Sequence, residues 1–419
     1  MKKKHTEQFV QNIGSGLNTI KSPFKCGITA YFEKYFFKSG IILTIVVLTL
    51  CQCKSHTKKT TALIKYELPI PEKLPPAYID TINKITNFWY ESFLKRSGFN
   101  GGILVAKNGN IIFEKYNGVA HFRSTDSINS STPLHIASVS KTFTAMAVLK
   151  LWQDHLLNID DELSKYFPGF DYPGVTIKTL LNHRSGLPNY VYFIDELGFD
   201  RKTPVTNQDV LNCLISRKNE IKNINPSNRH FSYCNTNFAL LALLIEKITK
   251  TPYPEYLKRS IFEPAGMTHT FVFTPQEVAR AIPSYDWKGM EIGNSNLELV
   301  YGDKNIYSTP QDLLKWDLLL SSNQYLSKVT LEEAYKPYSN EKAGIRNYGL
   351  GWRMYNFPND YKIIYHNGWW HGSNAVFIRM IKEDATIIVI GNKYNRNIYK
   401  AKELIGLFSQ LKSTGDEEE

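Results

Sequence analysis

Residues 136–151 read IASVSKTFTAMAVLKL, a mostly apolar run in which Ser138 precedes Lys141 by three residues. Two side chains three residues apart on a helix share one face, so the spacing predicts that Lys141 lies over Ser138. A serine hydroxyl needs a nearby base to become a nucleophile, and a desolvated lysine can supply one. A lysine buried in an apolar helix needs a partner or a function. From this stretch alone, a catalytic pair and a satisfied structural lysine both remain open.

The same spacing also occurs at Ser55 and Lys58, in a polar segment that offers no pocket. Spacing by itself therefore does not identify a site. What distinguishes Ser138 is its position at the start of a helix that must be buried, where backbone N–H groups point toward the reacting atom and favour developing negative charge.

A second candidate element is Tyr-x-Asn, because a tyrosine near a lysine can relay a proton and an asparagine amide can hold a substrate carbonyl. The pattern occurs three times: at Tyr233 and Asn235, at Tyr338 and Asn340, and at Tyr365 and Asn367. The first copy stands in a turn before the apolar run FALLALLIEKI, where a side chain can be held rigidly toward a cleft. Tyr338 lies in the polar loop KPYSNEKAG, which is typical of a surface turn.

The third copy belongs to a different element, YHNGWWHGSN, in which His366, Asn367 and Gly368 end a strand-like run. A glycine there permits close approach of a ligand to the backbone. Trp369 and Trp370 would line the mouth of the site, although packing of each indole against the sheet is an equal alternative.

The strand signals lie at both ends of the folded body. GGILVAKNGNIIFEKYNGVAHF, at 101–122, places two β-rich runs around an Asn-Gly turn, which predicts a hairpin. Further β-rich runs, from YGLGWRMY to ATIIVIGN, follow after residue 346, and the region 150–330 is helical and rich in loops. This order predicts an α+β fold: an antiparallel sheet built from both ends of the body and flanked by helices, with an inserted helical lobe.

Composition limits the function classes. With 419 residues, 42% hydrophobic and 13% aromatic, the chain can bury a large core and is neither disordered nor fibrous. Residues 1–60 hold 10 Lys and 2 Glu, which is most of the net charge of +11. Because the body is nearly balanced and shows no basic stripe, we expect no nucleic-acid partner. The five cysteines form no CxxC pair and no metal-ligand spacing.

The chain divides into five predicted segments. They are a basic arm at 1–38, an apolar segment at 39–53, a tether at 54–80, the folded body at 81–411 and an acidic tail at 412–419. The apolar segment is shorter than the ~20 residues of a membrane span and fits an export signal better. Cys51 and Cys53 resemble the lipid-modified cysteine of a bacterial lipoprotein. An uncleaved anchor and a buried core helix are the alternatives. The export signal with a lipid-modified cysteine and the uncleaved anchor would both attach the protein to the membrane with its body outside the cytoplasm.

With these elements placed, the sequence resembles the serine β-lactamase and penicillin-binding-protein superfamily, and within it the class C-like branch with DD-peptidases and β-lactamase-fold esterases. Ser-x-x-Lys is one of that superfamily's motifs. The blocks TIKTLLNHRSGLPNY, FEPAGMTHT and GDKNIYSTPQDLLKW add to the stretches quoted above, in the family's order over roughly residues 85–411.

The resemblance implies that Ser138 attacks a carbonyl to form an acyl-enzyme, with Lys141 and Tyr233 moving the proton. Asn235 would contact the substrate's amide, and the backbone N–H groups of Ser138 and Trp369 would form the oxyanion hole. The implied partner is a small-molecule or peptide substrate, and no cofactor or metal is implied.

His366 departs from the family, because it stands where β-lactamases usually carry the lysine of Lys-Thr-Gly. A histidine with an ordinary pKa of ~6.5 is charged only about a quarter of the time at pH 7, which weakens recognition of a carboxylate. Asn367 also replaces the usual hydroxyl residue. Both changes favour an esterase or DD-peptidase-like activity over an efficient β-lactamase. A ligand-binding or sensor module with little turnover is the alternative function.

Overall fold

A computed structural model describes residues 65–409 of the 419-residue chain. The strands of these residues are β1 (Gly101–Lys107), β2 (Asn110–Asn117), β3 (Leu134–His135), β4 (Phe271–Val272), β5 (Ser284–Tyr285), β6 (Glu291–Ile292), β7 (Ile306–Ser308), β8 (Arg346–Tyr348), β9 (Arg353–Asn356), β10 (Lys362–Trp370), β11 (Ser373–Met380) and β12 (Ala385–Gly391). The α-helices are α1 (Pro76–Trp89), α2 (Ser140–Gln153), α3 (Ile177–Leu181), α4 (Tyr190–Glu196), α5 (Asn207–Ser216), α6 (Asn235–Thr249), α7 (Tyr253–Leu257), α8 (Pro310–Ser321) and α9 (Lys328–Ala334).

Seven strands form one antiparallel sheet in the order β2-β1-β12-β11-β10-β9-β8. β1 and β12 come from opposite ends of the body and pair directly, with Gly101 opposite Gly391. The Asn-Gly turn that joins β1 and β2 has positive φ at both residues, 49° at Asn108 and 72° at Gly109, which suits the twist of a two-residue hairpin. The predicted α+β fold, with a sheet built from both ends, is confirmed.

Both faces of this sheet are covered, and for that reason β11 and β12 are buried along their whole length. On one face, side chains such as Phe377 and Ile388 pack with the inserted helices. On the other face, Val376 and Val389 pack with Trp89 at the end of α1 and with the 3₁₀ segment Arg396–Leu407.

The helical lobe centres on α2, which is buried on every side from Ser140 to Leu149. A helix that is apolar all round lies inside a protein rather than on its surface. Phe143 stacks on Trp316 of α8 at a ring-centroid distance of 4.6 Å. Dense packing on all sides gives the turn before α2 a rigid support.

The chain enters the body before the predicted boundary at residue 81. The N–H of Tyr66 donates to the carbonyl of Pro264 at 3.0 Å, and α1 begins at Pro76. The apolar segment at 39–53 and the acidic tail lie outside the described residues. Within residues 65–409, no helix has the length and hydropathy that crossing a membrane requires.

Candidate active site

Ser138 and Lys141 meet at the start of α2. Ser138 sits in the 3₁₀ turn Ala137–Val139, and Lys141 lies fully buried in the first turn of the helix. The Lys141 Nζ is 3.0 Å from Ser138 Oγ, 2.8 Å from Asn235 Oδ1 and 2.8 Å from the carbonyl oxygen of Asp303. Two of the three hydrogen bonds of the Lys141 amine are therefore made to uncharged acceptors, the oxygens of Asn235 and Asp303. The third faces the serine, either as an N–H or, when the amine is neutral, as a lone pair able to accept the hydroxyl proton.

Tyr233 lies in the segment that leads into α6, and Asn235 is the first residue of that helix. The Lys141 Nζ lies 4.9 Å from the centroid of the Tyr233 ring. The structure therefore brings Ser138, Lys141, Tyr233 and Asn235 into one cluster, from sequence positions almost 100 residues apart.

His183 lies beneath this segment, with its ring centroid 4.3 Å from that of Tyr233. Its Nδ1 accepts from the backbone N–H of Cys234 at 3.1 Å and from the amide of Asn237 at 3.3 Å. Burial, followed by the charge of Lys141, holds the pKa of His183 well below its usual range. The neutral ring thus acts as a fixed acceptor that orients the chain between Tyr233 and α6, in keeping with a support for the cleft.

Gly368 brings the backbone of β10 against the nucleophile. A Cβ at this position would lie 2.4 Å from the carbonyl oxygen of Ile136 and 3.1 Å from the backbone nitrogen of Ser138. Any side chain would push strand and turn apart. The backbone of Ile136 and Ser138 thus lies directly beside this glycine, and the approach of a ligand to it stays a prediction.

His366 is buried in the strand and hydrogen-bonded at both nitrogens. Its Nδ1 is 2.7 Å from the carbonyl oxygen of Asn367, so Nδ1 carries the proton, and Nε2 accepts from the hydroxyl of Tyr348 at 3.2 Å. Burial, followed by the charges of Arg353 and Lys141, holds the pKa of His366 well below 6.5. The ring is neutral at pH 7, whereas an unperturbed histidine would be partly charged.

Side chains along β10 alternate between its two faces, so the predicted site residues of this strand do not all lie on the same face. His366 and Gly368 share one face of the strand, and the side chains of Asn367 and Trp369 take the opposite face. Trp369 is 62% exposed, and its Nε1 donates to the carbonyl oxygen of His371 at 2.9 Å. The side chains of Asn367 and Trp369 therefore lie on the face of β10 opposite to His366 and Gly368.

Trp370 and His371 anchor the tip of the β10–β11 hairpin on one carboxylate. Trp370 Nε1 lies 3.2 Å and His371 Nε2 lies 2.9 Å from Glu298 Oε1. Both rings thus tie the hairpin to the loop before β7.

Sequence reasoning missed Arg353, the first residue of β9. Its guanidinium carbon lies 5.1 Å from the centroid of the Tyr233 ring, and the residue is partly exposed. The stretch YGLGWRMY predicted a strand, but a single arginine in a strand carries no signal of its own. Asp303 was missed for a similar reason, because its contact with Lys141 is made by a backbone carbonyl.

An antiparallel sheet flanked by helices, with a serine in contact with a buried lysine at a helix start, defines the class of serine β-lactamases and penicillin-binding proteins. Residues 89–407 match the family described as Beta-lactamase, and the chain belongs to that family.

Individual proteins show the same relationship. Penicillin-binding protein 4* of Bacillus subtilis (strain 168) is 31% identical over 344 residues, which cover 77% of this chain and 75% of the relative. Among solved structures, the penicillin binding protein from Bacillus halodurans has a TM-score of 0.67 at 23% identity, covering 75% of this chain and 98% of that one. D-alanine carboxypeptidase AmpC from Burkholderia cenocepacia has a TM-score of 0.65 at 17% identity, covering 78% and 99%. The fold is thus shared with proteins of this superfamily, and membership supports a hydrolase-type function.

Proposed function

We propose that the protein is a serine hydrolase that forms an acyl-enzyme on Ser138 and acts on small esters, amides or D-amino acid peptides. The observation that carries this proposal is the 3.0 Å contact between Ser138 Oγ and a buried Lys141 Nζ whose other partners are the oxygens of Asn235 and Asp303. This arrangement holds the amine in place while leaving one direction for the hydroxyl proton.

The chemistry runs in two steps. Ser138 Oγ bonds to the substrate carbonyl carbon as its proton passes to Lys141, and the leaving group departs with a proton returned through Lys141 and Tyr233. Water then attacks the acyl-enzyme carbonyl, its proton passes through Tyr233 and Lys141 to Ser138 Oγ, and the Oγ–carbon bond breaks to release the acid. Asn235 uses its Oδ1 on Lys141, so its amide Nδ2 is available to hold a substrate carbonyl.

The oxyanion hole would use the N–H groups of Ser138 and Trp369. The β10–β11 hairpin has a two-residue loop that closes on the pair Trp370 and Ser373, so alternate residues such as Trp369 direct their backbone groups away from β11. Beyond Tyr365 no described residue of β9 pairs with β10, which leaves that edge open next to Gly368. These features support a donor at Trp369.

Arg353 supports a substrate that carries a carboxylate. With His366 neutral, the guanidinium beside Tyr233 supplies a permanent cation at this end of the cleft. A peptide that ends in a D-amino acid would place its carboxylate there. An uncharged ester would be hydrolysed without this contact. The likeness in fold to a D-alanine carboxypeptidase agrees with a peptide substrate.

We further propose that the protein works at the cell envelope, held by its N-terminal segment at 39–53. The support is the uncharged run between a basic arm and a Lys- and Thr-rich segment, together with similarity to penicillin-binding proteins.

The test is turnover of p-nitrophenyl acetate, nitrocefin and a D-alanyl-D-alanine peptide by the detergent-solubilised full chain. Ser138→Ala is expected to lower kcat by about 10⁶, because the nucleophile is lost. Ser55→Ala is the matched control, since it removes the serine of another Ser-x-x-Lys and should leave turnover unchanged. Equal turnover by wild type and Ser138→Ala would contradict the proposal, and binding of the peptide without turnover would favour the ligand-binding alternative.

A further inference from the structure

The residue before the nucleophile adopts an unusual backbone conformation. Ala137 has a φ of 47°, in the left-handed region that residues other than glycine rarely enter. Such a conformation persists only when its surroundings hold it. Ser138 follows directly, so whatever holds Ala137 also sets the direction of the Ser138 hydroxyl.

His135 makes that contact from β3. The N–H of Ala137 donates to His135 Nδ1 at 3.2 Å, and the imidazole is buried. Because Nδ1 accepts, the neutral ring carries its proton on Nε2, which donates to Asn305 Oδ1 at 3.0 Å. The ring is therefore fixed at both nitrogens.

Asn305 is itself held. Its amide donates to the carbonyl oxygens of Glu298 at 2.8 Å and Val300 at 2.9 Å. The Glu298 carboxylate contacts His371 at the hairpin tip, so hydrogen bonds to the backbone and to the side chain of Glu298 link the tip of β10–β11 to the turn before Ser138.

We propose that His135 is a positioning residue, whose unprotonated Nδ1 holds the turn at Ala137 so that Ser138 Oγ faces Lys141 Nζ. This role rests on the proposed function of Ser138 as nucleophile. It adds a requirement that the family motifs do not contain, because His135 lies outside Ser-x-x-Lys and touches no reacting atom.

Protonation of His135 would destroy the contact, because an imidazolium has an N–H at both positions and two N–H groups would then face each other. Burial lowers the pKa of His135 to about 4, against the hydrogen bond with Asn305 and the charge of Glu298, while His371 and Lys304 lower it further. The ring of Tyr307 packs against it at 5.0 Å.

The Glu298 carboxylate, whose charge acts on His135, does not titrate in the same range. Hydrogen bonding from His371 and the charge of Lys304 outweigh burial and lower the pKa of Glu298 to about 2. Beyond any fall in rate caused by protonation of Lys141, Ser138 reactivity in the wild type should therefore show an acid limb near pH 4 that belongs to His135.

Two substitutions separate this role from simple packing. His135→Asn places an amide oxygen near the position of Nδ1 and cannot take up a proton at pH 4, whereas His135→Gln reaches toward Asn305 and leaves the Ala137 N–H without its acceptor. We expect His135→Gln in the full chain to slow acylation of Ser138 by p-nitrophenyl acetate about tenfold at pH 7, the effect of one lost hydrogen bond. The dissociation constant of the substrate should not change. His135→Asn should restore most of the rate and lose the acid limb.

The measurement is the burst rate of nitrophenol release from about pH 3.5 to 7, with the acylated residue identified by peptide mass spectrometry. Wild-type acylation at Ser138 together with a His135→Gln rate equal to wild type would overturn the positioning role, as would an acid limb that persists in His135→Asn. Absence of any acylation at Ser138 in the wild type would instead refute the proposed function, and the positioning role with it. If His135→Gln does not fold, the pH profiles of wild type and His135→Asn decide the matter.

Discussion

Two buried lysines, Lys141 and Lys304, lie on either side of Asp303 and have partners of different kinds. Lys141 donates to the backbone carbonyl of Asp303, to the amide oxygen of Asn235 and to the hydroxyl of Ser138. All three partners are uncharged. Such a lysine is held firmly without a hydrogen-bonded counter-ion, which is the environment expected of a base.

Lys304 has the partners of a structural cation. Its Nζ contacts the hydroxyl of Tyr190 at 2.6 Å and the carbonyl oxygen of Val300 at 2.9 Å, and it lies 3.8 Å from the Asp303 carboxylate. Burial lowers the pKa of Lys304, while the charges of Asp303 and Glu298 oppose that shift. The difference teaches that burial alone does not mark a catalytic lysine. Lys304 has a carboxylate at ion-pair distance, whereas the hydrogen-bond partners of Lys141 are uncharged oxygens and one of them is the serine hydroxyl.

The largest effect is expected from replacing each of the two lysines by methionine, which should affect activity in one case and stability in the other. Lys141→Met should lower kcat by about 10⁴, the upper range for loss of a general base. Lys304→Met should act on stability instead, lowering the free energy of unfolding by about 3 to 5 kcal/mol, because it leaves buried carboxylates without their cation. Ester turnover and urea unfolding of both variants check this comparison, which fails if the two variants lose activity and stability alike.

The next effect concerns the strand that faces the serine. Gly368→Ala should lower kcat about 10²-fold, because its Cβ would displace the backbone beside Ser138. Gly293→Ala is the control, since a Cβ there meets nothing within 4 Å. Similar kcat values for the two variants would show that Gly368 does not set the geometry of the site.

A smaller effect is expected at Arg353. Arg353→Gln should raise KM for a D-alanyl-D-alanine peptide about tenfold, the effect of losing a charge-assisted hydrogen bond, and leave KM for p-nitrophenyl acetate unchanged. The uncharged ester is thus an internal control. An equal rise for both substrates would mean that Arg353 supports Tyr233 rather than a substrate carboxylate.

The last effect, gradual rather than abrupt, is a pH dependence of stability. His183 and His366 are neutral in the folded protein, with each pKa well below 6.5, so below that pH the unfolded chain binds protons that the folded protein does not. Stability should therefore fall as the pH drops below about 6.5, by up to about 1.4 kcal/mol per pH unit for each histidine. Urea unfolding at several pH values measures the slope, and His366→Asn should remove one histidine's share. An unchanged slope would indicate that His366 is charged when folded.

Much of the fold follows from local patterns. The apolar runs and the Asn-Gly turn at Asn108 predict strands at both ends of the body, and such strands bury their faces only by pairing with one another. The exact neighbour relation of β1 and β12 is a long-range choice that no local pattern specifies.

The residues of the site also differ in whether a local sequence pattern predicts them. Ser138, Lys141 and Tyr233 stand in recognisable patterns, and the structure brings them together. Arg353 and His135 are single residues whose roles depend on which other segment folds against them. Asp303 acts through its backbone, which every residue shares. The charge state of His366 depends on burial, and sequence alone supplies only its ordinary pKa.

The measurement that tests the central claim most directly is mass spectrometry of the full chain quenched during turnover of p-nitrophenyl acetate. We predict an acetyl adduct on the peptide that carries Ser138, one per chain, absent in Ser138→Ala and absent in Lys141→Met at the same time point. An adduct on a different residue, or hydrolysis that proceeds without any covalent intermediate and is unaffected by Lys141→Met, would contradict the account.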